Sequence, residues 1–161
     1  MRVLAILVLC GVAYLAYLNV NEAMSRAKLD MDPVILKAEV DALSWVRENT
    51  PERTVFATDL VAGEMLMGHA LREGIIGGDW AVVPSAVRRM RDVQPRIYGA
   101  DNANSVCAMM TEYGARYLWV PKRKISSGYD EWIWPSDVFD DAQRFRRVFG
   151  NDGVAIYEVI C

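Results

Sequence analysis

A chain of 161 residues, 53% apolar and 24% charged, has room for one domain with its own core. Its formal charge of −3, with no basic stripe interleaved with aromatics, argues against nucleic acid as a partner. There is no G-x-S-x-G elbow, phosphate-cradling glycine loop, C-x-x-C pair or internal repeat, so the common catalytic signatures are absent.

The apolar excess begins at the amino terminus. Residues 3–18, VLAILVLCGVAYLAYL, carry no charge. As a helix they reach roughly 24 Å at 1.5 Å per residue, and continuation through Asn19, Val20 and Asn21 approaches the hydrocarbon core of about 30 Å. The expected organisation is a transmembrane anchor over residues 1–21, a juxtamembrane linker over 22–32 and an extracytoplasmic domain over 33–161. Tyr14 and Tyr17 would sit near one interface. Two alternatives remain open: a signal peptide cleaved near Ala23, Ser25 or Ala27, and a core helix. Cys107 and Cys161 could pair in an oxidising compartment or stand as two separate thiols.

Asp32-Pro33 is a helix-start signal. Leu36, Val40, Leu43 and Val46 at helical spacing predict an amphipathic helix over residues 34–48, stopped before Pro51. Residues 54–58 read as a short buried strand, 62–72 as a helix and 74–76 as a second short strand. A basic helix opens at Pro84-Ser85 and runs to about Asp92. The next helix covers 103–113, with Val106, Met109, Met110 and Tyr113 as its stripe and Gly114 as its C-cap. RYLWV, residues 116–120, is the clearest strand. Residues 127–134 read as an aromatic loop and 135–143 as a short helix. Residues 145–149 and 154–159 flank Gly150-Asn151-Asp152-Gly153, a hairpin signal. Helix and strand alternate up to that hairpin. The expected fold is therefore α/β, a three-layer-like sandwich with a mainly parallel sheet and a C-terminal antiparallel hairpin.

Chemistry-bearing residues are sparse. His69 is the only histidine and lacks ligand spacing, so it reads as structural and no metal or cofactor is called for. Gly77-Gly78 reads as a tight turn. Asp59, Glu64 and Asp79 could meet at the strand ends as a small enzyme's carboxylate cluster. The plainer alternative makes Asp59 a helix cap and leaves Glu64 and Asp79 solvated. If residues 54–58 and 74–76 are parallel, Asp59, Gly63 and Glu64 fall near Gly77, Gly78, Asp79 and Trp80. That is the carboxyl edge, where open α/β sheets bind ligands. Trp132 and Trp134 form a second candidate surface, for a sugar or a protein, or simply fold back on the core.

Four phrases in order carry a resemblance: A-L-S-W-V-R-E-N-T-P at 42–51, L-R-E-G-I-I-G-G at 71–78, Y-G-A-R-Y-L-W-V at 113–120, and residues 145–159. Together they resemble the extracytoplasmic domain that ends many glycosyltransferase-C superfamily membrane proteins, including oligosaccharyltransferase catalytic subunits. The W-W-D-Y-G motif by which oligosaccharyltransferases read the acceptor sequon would fall at residues 59–63. Only its final glycine, Gly63, is kept. The superfamily's catalytic carboxylates and metal lie in membrane loops that have no counterpart in these residues. The resemblance thus implies a single-span, stand-alone accessory lobe, not catalytic alone, that docks to a membrane protein or recognises a glycan or peptide. A structural subunit whose anchor packs through Ala5, Gly11, Ala13 and Ala16 is the other non-enzymatic reading.

Overall fold

The computed structural model describes residues 2–31, 35–77, 86–126 and 132–161, with side chains for 9–24, 35–77, 88–125 and 134–161. The chain divides into two units, Met1–Val34 and Ile35–Cys161.

The first unit holds one helix, α1 (Arg2–Met31), continuous through the stretch read as a linker. Leu9, Val12, Tyr14, Leu15, Tyr17, Leu18, Val20 and Met24 are all exposed on it. At 100° per residue they lie on every side, so residues 9–24 present no single apolar face. Among the described residues, no helix is long and apolar enough to cross a membrane.

The second unit is an α/β sandwich. Its elements are α2 (Lys37–Asn49), β1 (Val55–Ala57), α3 (Leu60–Met65), β2 (Glu73–Gly74), α4 (Ala86–Val93), α5 (Ala103–Glu112), β3 (Tyr117–Pro121), β4 (Ile125–Ser126), β5 (Trp132–Ile133), β6 (Phe145–Gly150) and β7 (Val154–Val159). The main sheet has the order β2-β1-β3-β7-β6. β1 is parallel to β2 and β3, whereas β7 is antiparallel to β3 and β6. The expected mainly parallel sheet is therefore a mixed one. The hairpin enters it through β7, so the antiparallel pairing reaches the centre of the sheet and not only its edge.

Alternation along the strands divides the core in two. Phe56, Tyr117, Trp119, Val154 and Ile156 pack with Ala42, Leu43 and Val46 of α2 and with Ala62 and Leu66. Ala57, Leu118, Val120, Ala155 and Tyr157 pack with Val93, Ile97 and Tyr98 and with Val106, Met109 and Met110 of α5. The register fits this division, since Phe56 lies opposite Tyr117 and Trp119 opposite Ile156. Both clusters lie within residues 35–161, so this unit carries its own core.

Several expected boundaries move for identifiable reasons. Asp32, Pro33 and Val34 lie outside the described residues, and α2 begins instead at Lys37. There the Glu39 carboxylate accepts the Leu36 N–H at 2.8 Å, closing the first turn. The helix expected over 62–72 ends as a wide π turn, Leu66–Ala70, after which Leu71 takes the left-handed conformation (φ 55°) and reverses the chain. The strand expected at 74–76 is a two-residue bridge, β2, with Ile75 and Ile76 buried beyond it. The start expected at Pro84-Ser85 lies outside the described residues. α4 itself runs on past Asp92 into a π turn, Gln94–Tyr98, around Pro95. Proline lacks the N–H and crowds the carbonyl one turn back, which explains the widening there. In place of a plain aromatic loop, β4 and β5 pair antiparallel, with Ile125 opposite Ile133; residues 127–131 lie outside the described residues. The helix expected at 135–143 shrinks to a 3-10 turn, Asp137–Asp140. The 145–159 hairpin and the Gly114 cap (φ 63°) form where expected.

Arg72 joins two helix ends. Its buried guanidinium donates to Arg47 O (2.9 Å), Thr50 O (2.6 Å) and Thr50 Oγ1 (3.0 Å) at the end of α2. It also donates to Ala70 O (3.0 Å) and Leu71 O (3.2 Å) at the end of the π turn. Late helix carbonyls lack intrahelical partners and carry the negative end of the helix dipole, so a cation there satisfies both needs.

Cys107 and Cys161 form a disulfide with Cα atoms 5.8 Å apart, tying the carboxyl end to α5 across 54 residues of sequence. A loop of that length predicts about 4 kcal/mol of stabilisation by restriction of the unfolded chain. Reduction, or Cys107→Ser with Cys161→Ser, should lower the urea unfolding free energy by roughly that amount; an unchanged midpoint would mean that the bond contributes nothing.

Glu158 of β7 lies between two arginines. Its Oε1 accepts from Arg116 Nε (3.1 Å) and Nη2 (2.8 Å), and its Oε2 accepts from Arg146. The Arg116 hydrogen bonds first, then that of Arg146, hold its carboxyl below the ordinary value against a burial effect that raises it. A depressed folded pKa gives stability that is complete above the unfolded value of about 4.3 and lost as pH falls through the folded one. Glu158→Gln should therefore flatten the acid limb of unfolding free energy against pH below about 4.3, as urea titrations would register.

Candidate functional site

Strands β1 and β3 are parallel, so the segments that leave them emerge at the same end of the sheet. Asp59 follows β1 and Arg123 follows β3. Glu39 reaches the same place from the first turn of α2. Arg123 Nε donates to Glu39 Oε2 (3.1 Å), and its Nη2 donates to Glu39 Oε1 (3.0 Å) and to both Asp59 oxygens (3.3 Å each). Both carboxylates are buried, while the Arg123 side chain keeps 18% exposure. Burial works against the charge on Arg123, but Asp59 and Glu39 more than offset it and hold its pKa above the ordinary value.

Asp59 has a second task. Its Oδ1 accepts the N–H groups of Val61 (3.1 Å) and Ala62 (3.3 Å), so it is the N-cap of α3. Each of its oxygens therefore has a partner, as do those of Glu39. Tyr98 closes the site from the other face of the sheet, its hydroxyl donating to Trp119 O and more weakly to Ala57 O (3.4 Å). Burial first, then the charge of Asp59, pushes that phenol well above its ordinary pKa. This arrangement can lock an edge, but it leaves no carboxylate oxygen here without a donor.

The residues expected around it divide clearly. Gly63 lies against the exit of β2, where a Cβ would come within 2.1 Å of Ile76 O. Only glycine allows α3 to approach that close. Gly77 is half-buried beneath the Met67 side chain. The turns after β1 and β2 thus do meet. Glu64 is exposed on α3 and, among the described residues, makes no hydrogen bond or ion pair with Asp59. Gly78, Asp79 and Trp80 lie outside the described residues, as does the Trp132 side chain. Trp134 is 62% exposed, with Lys124 Nζ 5.8 Å from its ring centroid. His69 is exposed at the π turn. Among the described residues, no group of three His, Cys, Asp or Glu side chains could hold a metal. Arg123 and Glu39 escaped the sequence reading. The available signal was an arginine two residues beyond a fully apolar strand end, the position that faces a carboxyl edge.

The fold and edge define an α/β sandwich with a mixed five-stranded sheet whose parallel strand ends are closed by an ion-paired lock. Its fold is similar to that of a solved structure: the crystal structure of the C-terminal globular domain of oligosaccharyltransferase from Archaeoglobus fulgidus superposes with a TM-score of 0.53. The match covers 74% of this chain and 95% of that one at 14% identity, so it is a likeness of fold. No family model matches the sequence, and no curated protein does.

Removing Arg123 leaves two buried carboxylates uncompensated, a situation that costs about 3–5 kcal/mol. Arg123→Met should lower the urea unfolding free energy by that order, and adding Glu39→Gln should return part of the loss. A near-neutral Arg123→Met would show that the lock is solvated and energetically slight.

Proposed function

We propose that this chain is a membrane-anchored, extracytoplasmic accessory domain, related in role to the soluble lobe of oligosaccharyltransferase-type membrane proteins. In this reading α1 is a single-pass anchor, and the α/β unit docks to a membrane protein partner or recognises a glycan or peptide. The observation that carries the proposal is the likeness of this fold, over 74% of the chain, to a globular domain of an oligosaccharyltransferase. Two further features support it. Over residues 9–18, α1 bears exposed apolar side chains on all sides, as a lipid-facing stretch does and a surface helix does not. A disulfide such as Cys107–Cys161 is the kind of bond that oxidising compartments favour, which supports the extracytoplasmic reading.

The recognition surface in this proposal is the carboxyl edge, from Gly63 and Glu64 to the segment beyond Gly77, with exposed Trp134 as a second contact. Asp59 supports that edge from within. It is buried and fully partnered, so it shapes the surface and does not touch the ligand. The structural-subunit reading differs only in assigning the contact to α1.

The full-length protein should stay in the membrane pellet after carbonate washing. In intact cells Cys107 and Cys161 should resist alkylation until a reductant is added. Release into the wash would sink the anchor, and immediate alkylation of both thiols would place the domain in a reducing compartment. With those arms satisfied, mild-detergent capture from native membranes should retain a membrane partner. Glu64→Ala with Trp134→Ala should weaken capture while leaving the thermal midpoint within a few degrees. Capture unchanged by this pair but lost on replacing α1 would favour the subunit reading.

A further inference from the structure

The outward face of α4 and its π turn concentrates positive charge on an otherwise acidic protein. Met90, Val93, Ile97 and Tyr98 turn toward the core, while Arg88, Arg89, Arg91 and Arg96 turn outward and are exposed. Among the described residues, one carboxylate on this element answers them. Asp92 Oδ1 accepts from Arg96 at 3.2 Å, and its Oδ2 accepts from the Tyr113 hydroxyl at 3.1 Å. Arg88, Arg89 and Arg91 have no ion-pair partner among the described residues. Four arginines against one aspartate leave a surplus of three positive charges on a chain whose formal charge is −3. Charge scattered for solubility would be mixed in sign along the helix, which this is not.

We infer that this face is a docking surface for anionic phospholipid head groups. Three properties select that partner. Guanidinium groups suit phosphate oxygens, because their planar donors match them in pairs. A convex helix face with arginines spread over its outer half meets a flat array of phosphates better than it encloses one ligand. Among the described residues of this element, 88–98, the one aromatic side chain, Tyr98, is buried in the core, so the helix itself offers single-stranded nucleic acid no stacking platform. The surface is read from residues 88–96 alone and stands whether or not α1 spans a bilayer. Where α1 does span one, tethering would raise the local concentration of head groups and make a weak contact effective.

The test uses residues 35–161, which contain both hydrophobic clusters. The protein is co-sedimented with vesicles of phosphatidylglycerol and phosphatidylcholine, and separately with pure phosphatidylcholine, at low and physiological salt. Binding should appear only with phosphatidylglycerol and fade as salt rises. Each arginine near an anionic surface contributes roughly a fivefold effect, so the triple variant Arg88→Gln, Arg89→Gln, Arg91→Gln should bind about a hundredfold more weakly. Its thermal midpoint should stay within a few degrees, since the residues are exposed. The corresponding triple lysine variant should retain most binding, because a lipid surface responds chiefly to charge. Equal binding to both vesicle types would overturn the inference, as would full phosphatidylglycerol binding by the glutamine variant. Tighter binding of a labelled oligonucleotide or polyglutamate peptide than of the anionic vesicles would overturn it too.

Discussion

Helix α2 is held at both ends by arginines that arrive from elsewhere in the chain. At its start Glu39 lies in the first turn, where a carboxylate complements the helix dipole, and Arg123 from beyond β3 binds it. At its end Arg72, from the turn before β2, takes up the carbonyls of Arg47 and Thr50. Neither contact is a surface ion pair of the kind that contributes little. The Glu39 carboxylate and the Arg72 guanidinium are both buried, and each would be an uncompensated charge if its partners moved. The position of α2 over the sheet is therefore fixed by two polar constraints as well as by Ala42, Leu43 and Val46 packing on Phe56, Trp119 and Ile156.

These constraints also explain why the carboxyl edge looks like an active site in sequence and behaves like a joint in structure. Asp59 caps α3, holds Arg123 and faces the end of a sheet sealed by Tyr98. One side chain thereby couples α2, α3 and the segment after β3. A buried carboxylate with both oxygens engaged, one by helix N–H groups and both by a guanidinium, is well suited to positioning the elements around it. What the edge offers a partner is its shape, set by Gly63 and Gly77, and the side chains beside it.

Legibility in the sequence followed the range of the forces involved. The 145–159 hairpin was readable because Asn151 and its neighbours make a local turn: Asn151 Oδ1 accepts from Gly153 and Val154 without help from the rest of the fold. Strand β3 was readable because all five of its residues are buried, so no polar interruption blurs it. The π turn at Leu66–Ala70 was not, since an amphipathic pattern cannot distinguish a regular helix from one widened in its last turn. The sheet's mixed direction also depends on where β7 inserts, a contact between residues about forty apart. Arg72 and Arg123 were hidden for a related reason. An arginine in a loop reads as solvated unless the burial of its surroundings is known. The α/β arrangement and its likeness in fold to an oligosaccharyltransferase globular domain were visible, whereas the polar joints that hold the layers in place were not.

The two margins of the sheet have a consequence for the protein's behaviour in a crowded compartment. An exposed strand edge is a template on which a second chain can add and seed aggregates. On one margin β2 pairs through only two residues, one of them a glycine, and gives a newcomer almost no length to grip. On the other, β6 carries a register shift between Arg147 and Phe149 and two adjacent arginines, Arg146 and Arg147. Irregular spacing and like charge both oppose a matching copy of the same strand. A mixed sheet of five strands thus ends in two edge strands whose own shortness, irregularity and charge discourage the addition of a matching strand.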